Sequence, residues 1–384
     1  MFKRFCGAVD ALRMLLERCR PLERVERLPA GLAAGRILCH DVFSPVSLPG
    51  FDRAAMDGYA VRSADTAGAR PHAPVFIQDF VPVRTGQPVP SMYDAVLMLE
   101  DADLRGGTLQ ATAQLHSGKN VSRVGEDIAA GERVYAEGHS IRLPDAAMLL
   151  ALGMGEVSVY ERPKVTIIPT GGELVEAGAR PLLPGEAYEI NGLMARLYAE
   201  KWGADAVRTQ IVPDDEGLIR EAVAKASDRS DFIIIIGGTS VGEKDYAPRM
   251  LAENGELFVH GVRLQPGKPT AFGTVADKPV VCLPGYPVAM LSDLYLFVRP
   301  ALQKIGRRRD HLPGVTVPLA RKIPSRPGYL SLVRVAIREG KAEPIMLSGA
   351  GILSSVAKAD GFVVVSEEKE GLEAGEEVVV TLFE

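Results

Sequence analysis

Cysteine is scarce in this chain of 384 residues: four, at Cys6, Cys19, Cys39 and Cys282, with no CxxC pair and no zinc-ligand spacing. That excludes a disulfide framework and a zinc module, and suits reduced thiols in a cytoplasmic protein. Long hydrophobic runs are missing too. The longest, residues 146–154, is too short to span a bilayer. The N-terminus carries Lys3, Arg4 and Asp10 and has no apolar signal core. Six histidines are scattered without a metal cluster, no Ser-His-Asp order appears, and His260 reads as a structural histidine. Positive charge is not in excess. The net charge of −5 argues against nucleic acid as the main partner. There is no internal repeat and no low-complexity tract.

What is present is an ordinary globular composition, 47% hydrophobic and 24% charged, in a chain long enough for two to four domains. The most informative stretch is 231–246, DFIIIIGGTSVGEKDY. Five bulky apolar residues, Phe232–Ile236, read as a strand buried on both faces. Gly237 and Gly238 let the backbone turn sharply and approach a ligand. Thr239 and Ser240 offer hydroxyls and a cap for the helix expected beyond Tyr246. Loop amides there favour an oxyanion. Glu243 and Asp245 would repel a phosphate unless a divalent cation such as Mg²⁺ bridges them. The plainer reading is a buried strand followed by a polar surface turn.

Along the chain, residues 8–20 place Val9, Leu12, Leu15 and Leu16 on one helical face. Residues 74–135 show short strands between Gly and Pro, a small β-rich domain inserted into something else. After Pro163 the texture changes to strand–helix alternation. Strands are expected at 164–169, 207–212, 232–236 and 279–283. Helices are expected at 193–202, where Leu193, Leu197 and Trp202 face inward, at 216–227, at 248–254 and up to about Val298. This predicts a doubly wound α/β domain with a parallel sheet covered on both faces. The basic triplet Arg307, Arg308 and Arg309 reads as a solvated linker. Beyond it, short strands return as a small β-barrel or sandwich.

In a doubly wound sheet, ligands sit beyond the carboxyl ends of the strands. Four loops, TGGELV, PDDEG, GGTSVGEKDY and LPGYPV, should meet there with Glu173, Asp214, Asp215, Glu243 and Asp245. Either Asp214 or Asp215 also suits a helix N-cap. Lys268 sits between Gly267 and Pro269 with its ammonium free to reach an anion. Pro284, Gly285, Tyr286 and Pro287 make a rigid loop at a helix start, a wall for a flat ring or an oxyanion. The inserted region adds Asp57, Thr85, Glu126 and Asp127 on its own loops. By default Asp57, before Gly58, is a turn residue.

The segments PGFDRAAMDGYAVR, RTGQPVP, RVGEDI, TGGEL, GGTSVGEKDY, PGKP and LPGYPV stand in one order across most of the chain. Together they resemble the MoeA-type molybdopterin molybdenumtransferases, the family that includes the gephyrin E domain. The resemblance implies a homodimer of four-domain chains: residues 1–21 with 163–310 as the molybdopterin-binding-type α/β domain, 22–43 with 132–162 as a connecting domain, 44–131 as the inserted β-rich domain, and 311–384 as a C-terminal β-barrel. It implies insertion of molybdate into adenylylated molybdopterin with Mg²⁺, releasing AMP. By motif match, Asp57, Thr85, Asp127, Glu173, Asp214 and Asp245 hold the catalytic positions, Asp214 and Asp245 the metal. Gly237, Gly238, Ser240, Gly242, Lys268, Pro269, Pro284, Gly285 and Pro287 bind substrate. The site is implied to lie between the α/β domain of one subunit and the inserted domain of the other. An upstream adenylyltransferase and downstream molybdoenzymes are implied partners. The chain departs from the family pattern at Gln265, Gly172, Glu189, Tyr286 and His260, and Arg263 is placed to compensate a missing cation. Those departures keep two alternatives in view: a molybdopterin-binding carrier or scaffold with weak catalysis, and a homologue that uses tungstate. A nucleotide-cleaving hydrolase on the same α/β domain would not need the inserted domain.

Overall fold

The computed structural model describes residues 5–238, 246–345 and 352–383. The chain forms two compact units, Arg27–Val159 and Met1–Glu26 with Tyr160–Glu384.

The unit Arg27–Val159 is built from small antiparallel sheets. Gly58–Val61 runs between Val81–Val83 and Ala95–Met98, and Thr108–Ala111 between Val75–Ile77 and Ala102–Arg105. The inward residues of both sheets, among them Val61, Ile77, Leu97 and Leu109, share one core. Gly58 opens a strand directly after Asp57. A Cβ there would lie 1.9 Å from the Leu97 carbonyl oxygen, so the close strand pairing requires glycine. The helix Leu143–Ala151 is started by Asp145, whose carboxylate accepts from the Arg142 N–H at 2.8 Å and from the Arg142 guanidinium at 2.7 Å.

The other unit is organised by a six-stranded sheet in the order Asp205–Arg208, Lys164–Pro169, Phe232–Ile236, Lys278–Leu283, Ala271–Val275, Glu256–His260. Phe232, Ile234 and Ile236 pack into one core, Ile233 and Ile235 into the other. Both faces are therefore covered, which is why the stretch reads as an unbroken apolar run. The four expected strands are the first four and are parallel; beyond them Ala271–Val275 runs antiparallel to both Lys278–Leu283 and Glu256–His260, so the edge of the sheet is mixed. The hairpin behind this turns on Ala276 and Asp277, both with positive φ. An Ala-Asp pair lacks the Asn-Gly signature that would have announced it.

The helix Glu216–Ser227 and the strand Phe232–Ile236 occupy the positions expected of them. Other elements shift. The strand expected at 207–212 is Asp205–Arg208, and the last helix runs through a π turn, Leu294–Val298, to Ile305. Val9 is exposed, but Leu15 is buried as expected, with Leu12 and Leu16 packed half-buried against the same core and Ala8 and Ala11 buried beside them. The helix Asn191–Lys201 lies on the sheet through Gly192, Ala195 and Ala199. These small residues allow close approach, so Leu193 and Leu197 point outward, 46% and 51% exposed. Trp202 is buried as expected. The basic triplet is not a solvated linker at its first two members. Arg307 stacks 4.3 Å from the Tyr160 ring and donates to the Leu22 carbonyl; Arg308 pairs with Asp310.

The C-terminal strands Gly314–Pro318, Glu377–Leu382, Gly361–Val365 and Leu330–Arg338 form an antiparallel run, with Lys341–Pro344 on the last of them. A bridge between Leu319 and Ala342 brings the run back on itself, the barrel-like closure expected of this region.

Candidate active site

The site in the α/β domain follows from where three parallel strands stop. Lys164–Pro169, Phe232–Ile236 and Lys278–Leu283 end side by side, and their loops are tied together. Thr170 N–H donates to the Ile236 carbonyl at 2.8 Å, and Gly237 N–H to the Leu283 carbonyl at 3.0 Å. Gly237 and Gly238 have φ of 95° and 62°. A Cβ on Gly237 would lie 2.4 Å from the Thr170 carbonyl oxygen, so glycine is required for this splice. Its N–H is taken by Leu283 and is not an anion donor. The Gly238 N–H has no partner among the described residues.

Between these loops is a recess of about 200 Å³, lined by Thr170, Gly171, Glu173, Leu174, Glu189, Asn191, Asp214, Ile236, Gly237, Gly238 and Gly285. Glu173, Asp214, Gly237, Gly238 and Gly285 of the expected set are thus brought together. The two neighbouring aspartates separate cleanly. Asp215 caps the helix Glu216–Ser227, accepting from Leu218 N–H at 2.9 Å. Asp214 faces the recess, and among the described residues its carboxylate has only a long contact, 3.4 Å, from Gly172 N–H. Ser240, Gly242, Glu243 and Asp245 lie outside the described residues. Among the described residues no three His, Cys, Asp or Glu side chains are grouped to hold a metal.

Asn191 is a member the motif reading missed. Its Nδ2 donates to the Gly285 carbonyl at 2.6 Å, while its Oδ1 is buried without a partner among the described residues. Turning the amide over would set two carbonyl-type oxygens against each other, so the unpaired acceptor stays an acceptor. The only signal was its place at the start of the helix after the Glu189 turn. Glu189 itself pairs with Arg208 at 2.7 Å and accepts from Gly192 N–H at 2.6 Å, a buried brace under that turn.

Lys268 and Pro269 are not among the recess-lining residues. Lys268 is exposed, with its Nζ 5.1 Å from the centre of the Tyr329 ring. Arg326 lies 4.8 Å from the same ring. Arg263 is engaged by the Phe5 carbonyl and Glu367, which removes it as a free replacement cation. Pro287 opens its helix and Pro284 is buried behind it, whereas Tyr286 is 65% exposed and outside the recess lining.

The unit Arg27–Val159 carries its own cluster. The Asp57 carboxylate accepts from the Thr85 N–H at 2.7 Å and from the Thr85 hydroxyl at 2.9 Å. These two donors hold the Asp57 carboxyl below the usual carboxylate range. The Thr85 hydroxyl hydrogen is therefore committed to Asp57 and is not offered outward. Backbone bonds lace the three motif segments together: Gly86 N–H to Ala54, Val89 N–H to Asp52, Gly125 N–H to Pro49. Asp127 is exposed, and its carboxylate has no partner among the described residues.

Comparison with known proteins agrees with this architecture. Residues 8–153 match the model of the MoeA N-terminal region, domains I and II. Residues 166–304 match the probable molybdopterin binding domain, and 316–383 the MoeA C-terminal region, domain IV. A putative molybdopterin biosynthesis protein of Methanocaldococcus jannaschii is 34% identical over 94% of this chain and 93% of its own. The chain belongs to the MoeA family. Within it, the molybdopterin molybdenumtransferase of Haemophilus influenzae is 30% identical, covering 97% of this chain and 98% of its own. A MoeA molybdopterin biosynthesis protein from Pyrococcus horikoshii has the same fold, with a TM-score of 0.86 at 32% identity over 99% of this chain and 100% of that one. The MoeA segments Asp57–Gly58, Thr85 and Asp127 thus occupy one unit, and Glu173, Asp214 and the glycine turn the other.

Proposed function

We propose that the chain is a molybdopterin molybdenumtransferase. It inserts molybdate into adenylylated molybdopterin and releases AMP, working in the cytoplasm as a homodimer. The observation that carries this reading is the meeting of Glu173 and Asp214 with the Gly237-Gly238 turn in one recess, in a MoeA-family chain matched over nearly its whole length.

The donor set fits Mg²⁺. It offers hard carboxylate oxygens without thiolate or imidazole, and the long 3.4 Å contact leaves the lone pairs of Asp214 free. Asp214, together with Asp245, would hold the ion, which when bound neutralises and polarises the pyrophosphate oxygens. The chain's own residues do the rest. The Gly238 N–H points donor character at an anion, the Asn191 Oδ1 accepts an N–H of the ligand, and Glu173 borders the same space. Lys268 supplies an ammonium for a tetrahedral oxyanion. Asp57, ionised at neutral pH and oriented by Thr85, and Asp127 complete the site from the partner subunit. The same residues serve a tungstate-using homologue, and competition between the two oxyanions in one assay ranks them.

The test is AMP release from adenylylated molybdopterin on adding molybdate and Mg²⁺. The reading expects release that depends on both and is abolished by Asp245→Ala with the oligomer intact. A carrier or scaffold would release none, and unchanged turnover in Asp245→Ala would remove that residue from the chemistry.

A further inference from the structure

Asp293 is fully buried at the last residue of the helix Pro287–Asp293, where the backbone widens into the Leu294–Val298 π turn. The recess chemistry does not use it. Its Oδ2 is 2.6 Å from Thr270 Oγ1, and Thr270 Oγ1 is 2.7 Å from the Gly267 carbonyl oxygen. Its Oδ1 has no partner among the described residues. Three oxygens in a row at these separations need two hydrogens. Thr270 has one and the carbonyl has none, so the second belongs to Asp293. A neutral Asp293 donates to Thr270, which donates to Gly267. The ionised form would leave one close oxygen pair without a hydrogen, and a buried charge without a counter-charge. Burial acts in the same direction, pushing the Asp293 carboxyl well above its ordinary range.

The relay ends on the loop that carries Lys268. Val262 N–H to the Lys268 carbonyl, 3.0 Å, and Gly261 N–H to the Thr270 carbonyl, 2.9 Å, tie the ends of that loop. Its tip is seated on Asp293. A Cβ on Gly267 would lie 3.0 Å from Asp293 Oδ1 and 2.6 Å from Leu264 Cδ2, at a φ of +133°. The tip is thus held from beneath by one acid, one hydroxyl and one carbonyl.

We propose that Asp293, acting through Thr270 on the Gly267 carbonyl, is the positioning residue that fixes the backbone carrying Lys268. Its consequence for oxyanion binding rests on the function proposed above; the anchoring itself does not. The test uses the full-length protein and reads amide hydrogen exchange of residues 264–270 in Thr270→Val, Thr270→Ser, Asp293→Leu and the Thr270→Val/Asp293→Leu double variant. Thr270→Val should speed exchange of the loop about tenfold, equivalent to about 1.4 kcal/mol, and serine should restore it. Asp293→Leu should match Thr270→Val, and the double variant should exceed neither, because the relay breaks only once. Unchanged exchange in a folded Thr270→Val protein, failure of serine to restore it, or additive effects in the double variant would each overturn the proposal. Should Asp293→Leu fail to fold, the two Thr270 variants decide. The molybdate KM for AMP release is read in parallel. Faster loop exchange with an unchanged KM would leave the anchor standing and remove Lys268 from the proposed reaction.

Discussion

Adjacent residues of the same type do different work here, and Asp214 and Asp215 show how. Asp215 spends its carboxylate on the helix that follows, as N-caps do, while Asp214 keeps its oxygens for the recess. Asp215→Ala should therefore cost about 1 kcal/mol in urea unfolding and leave Mg²⁺ affinity alone. Asp214→Asn should do the reverse, changing stability by no more than about 0.5 kcal/mol while weakening Mg²⁺ in a titration. Equal effects of the two substitutions would mean that the assignment of roles is wrong. From sequence both aspartates were candidates for either role, because the choice depends on which side of the helix start faces the glycine turn. Asn191 was illegible for a related reason: its importance lies in one unpaired oxygen, which no motif encodes.

Short elements set where the functional loops stand, and their strength can be probed one at a time. Gly58 sits where the strand Gly58–Val61 touches the Leu97 backbone. Gly58→Ala should destabilise the chain by about 3 kcal/mol through overpacking, seen as a lower urea midpoint. Asp145, with a side chain only 3% exposed, anchors the helix Leu143–Ala151 and is engaged by Arg142 and His139. Those partners lower its carboxyl pKa below the usual range. Its stabilising contribution is therefore complete above the unfolded carboxylate value of about 4, and is lost as pH falls through the lower folded value. Asp145→Asn should cost about 3 kcal/mol at neutral pH, and the gap to the parent protein should shrink in unfolding curves measured at progressively lower pH below about 4. A gap independent of pH would show that the charge of Asp145 is not what anchors the helix. Elements with a strong local signal, the capped helix Glu216–Ser227 and the unbroken apolar strand Phe232–Ile236, were readable from sequence. The antiparallel edge was not, because its hairpin uses Ala276 and Asp277. Nor was the outward turn of Leu193 and Leu197, because small residues, rather than large ones, made the packed face.

On the scale of the whole molecule, the ordered motifs were the most legible feature, and the family they indicated is the one the chain belongs to. What motifs alone leave open is assembly. The residues proposed for one reaction fall on two compact units, Asp57, Thr85 and Asp127 on one and Glu173 and Asp214 on the other. In the proposed function each site draws the first group from one subunit and the second, with Asp245, from its partner. Neither Asp57→Ala nor Asp245→Ala homodimer should then release AMP. Mixing the two, with exchange of subunits, creates dimers in which one site carries both substitutions and the other carries neither. The decisive measurement is AMP release by that mixture. The account predicts recovery toward roughly a quarter of wild-type activity, as expected when about half the dimers are mixed and each mixed dimer has one intact site. A mixture as inactive as its parents, with subunit exchange verified, would contradict it.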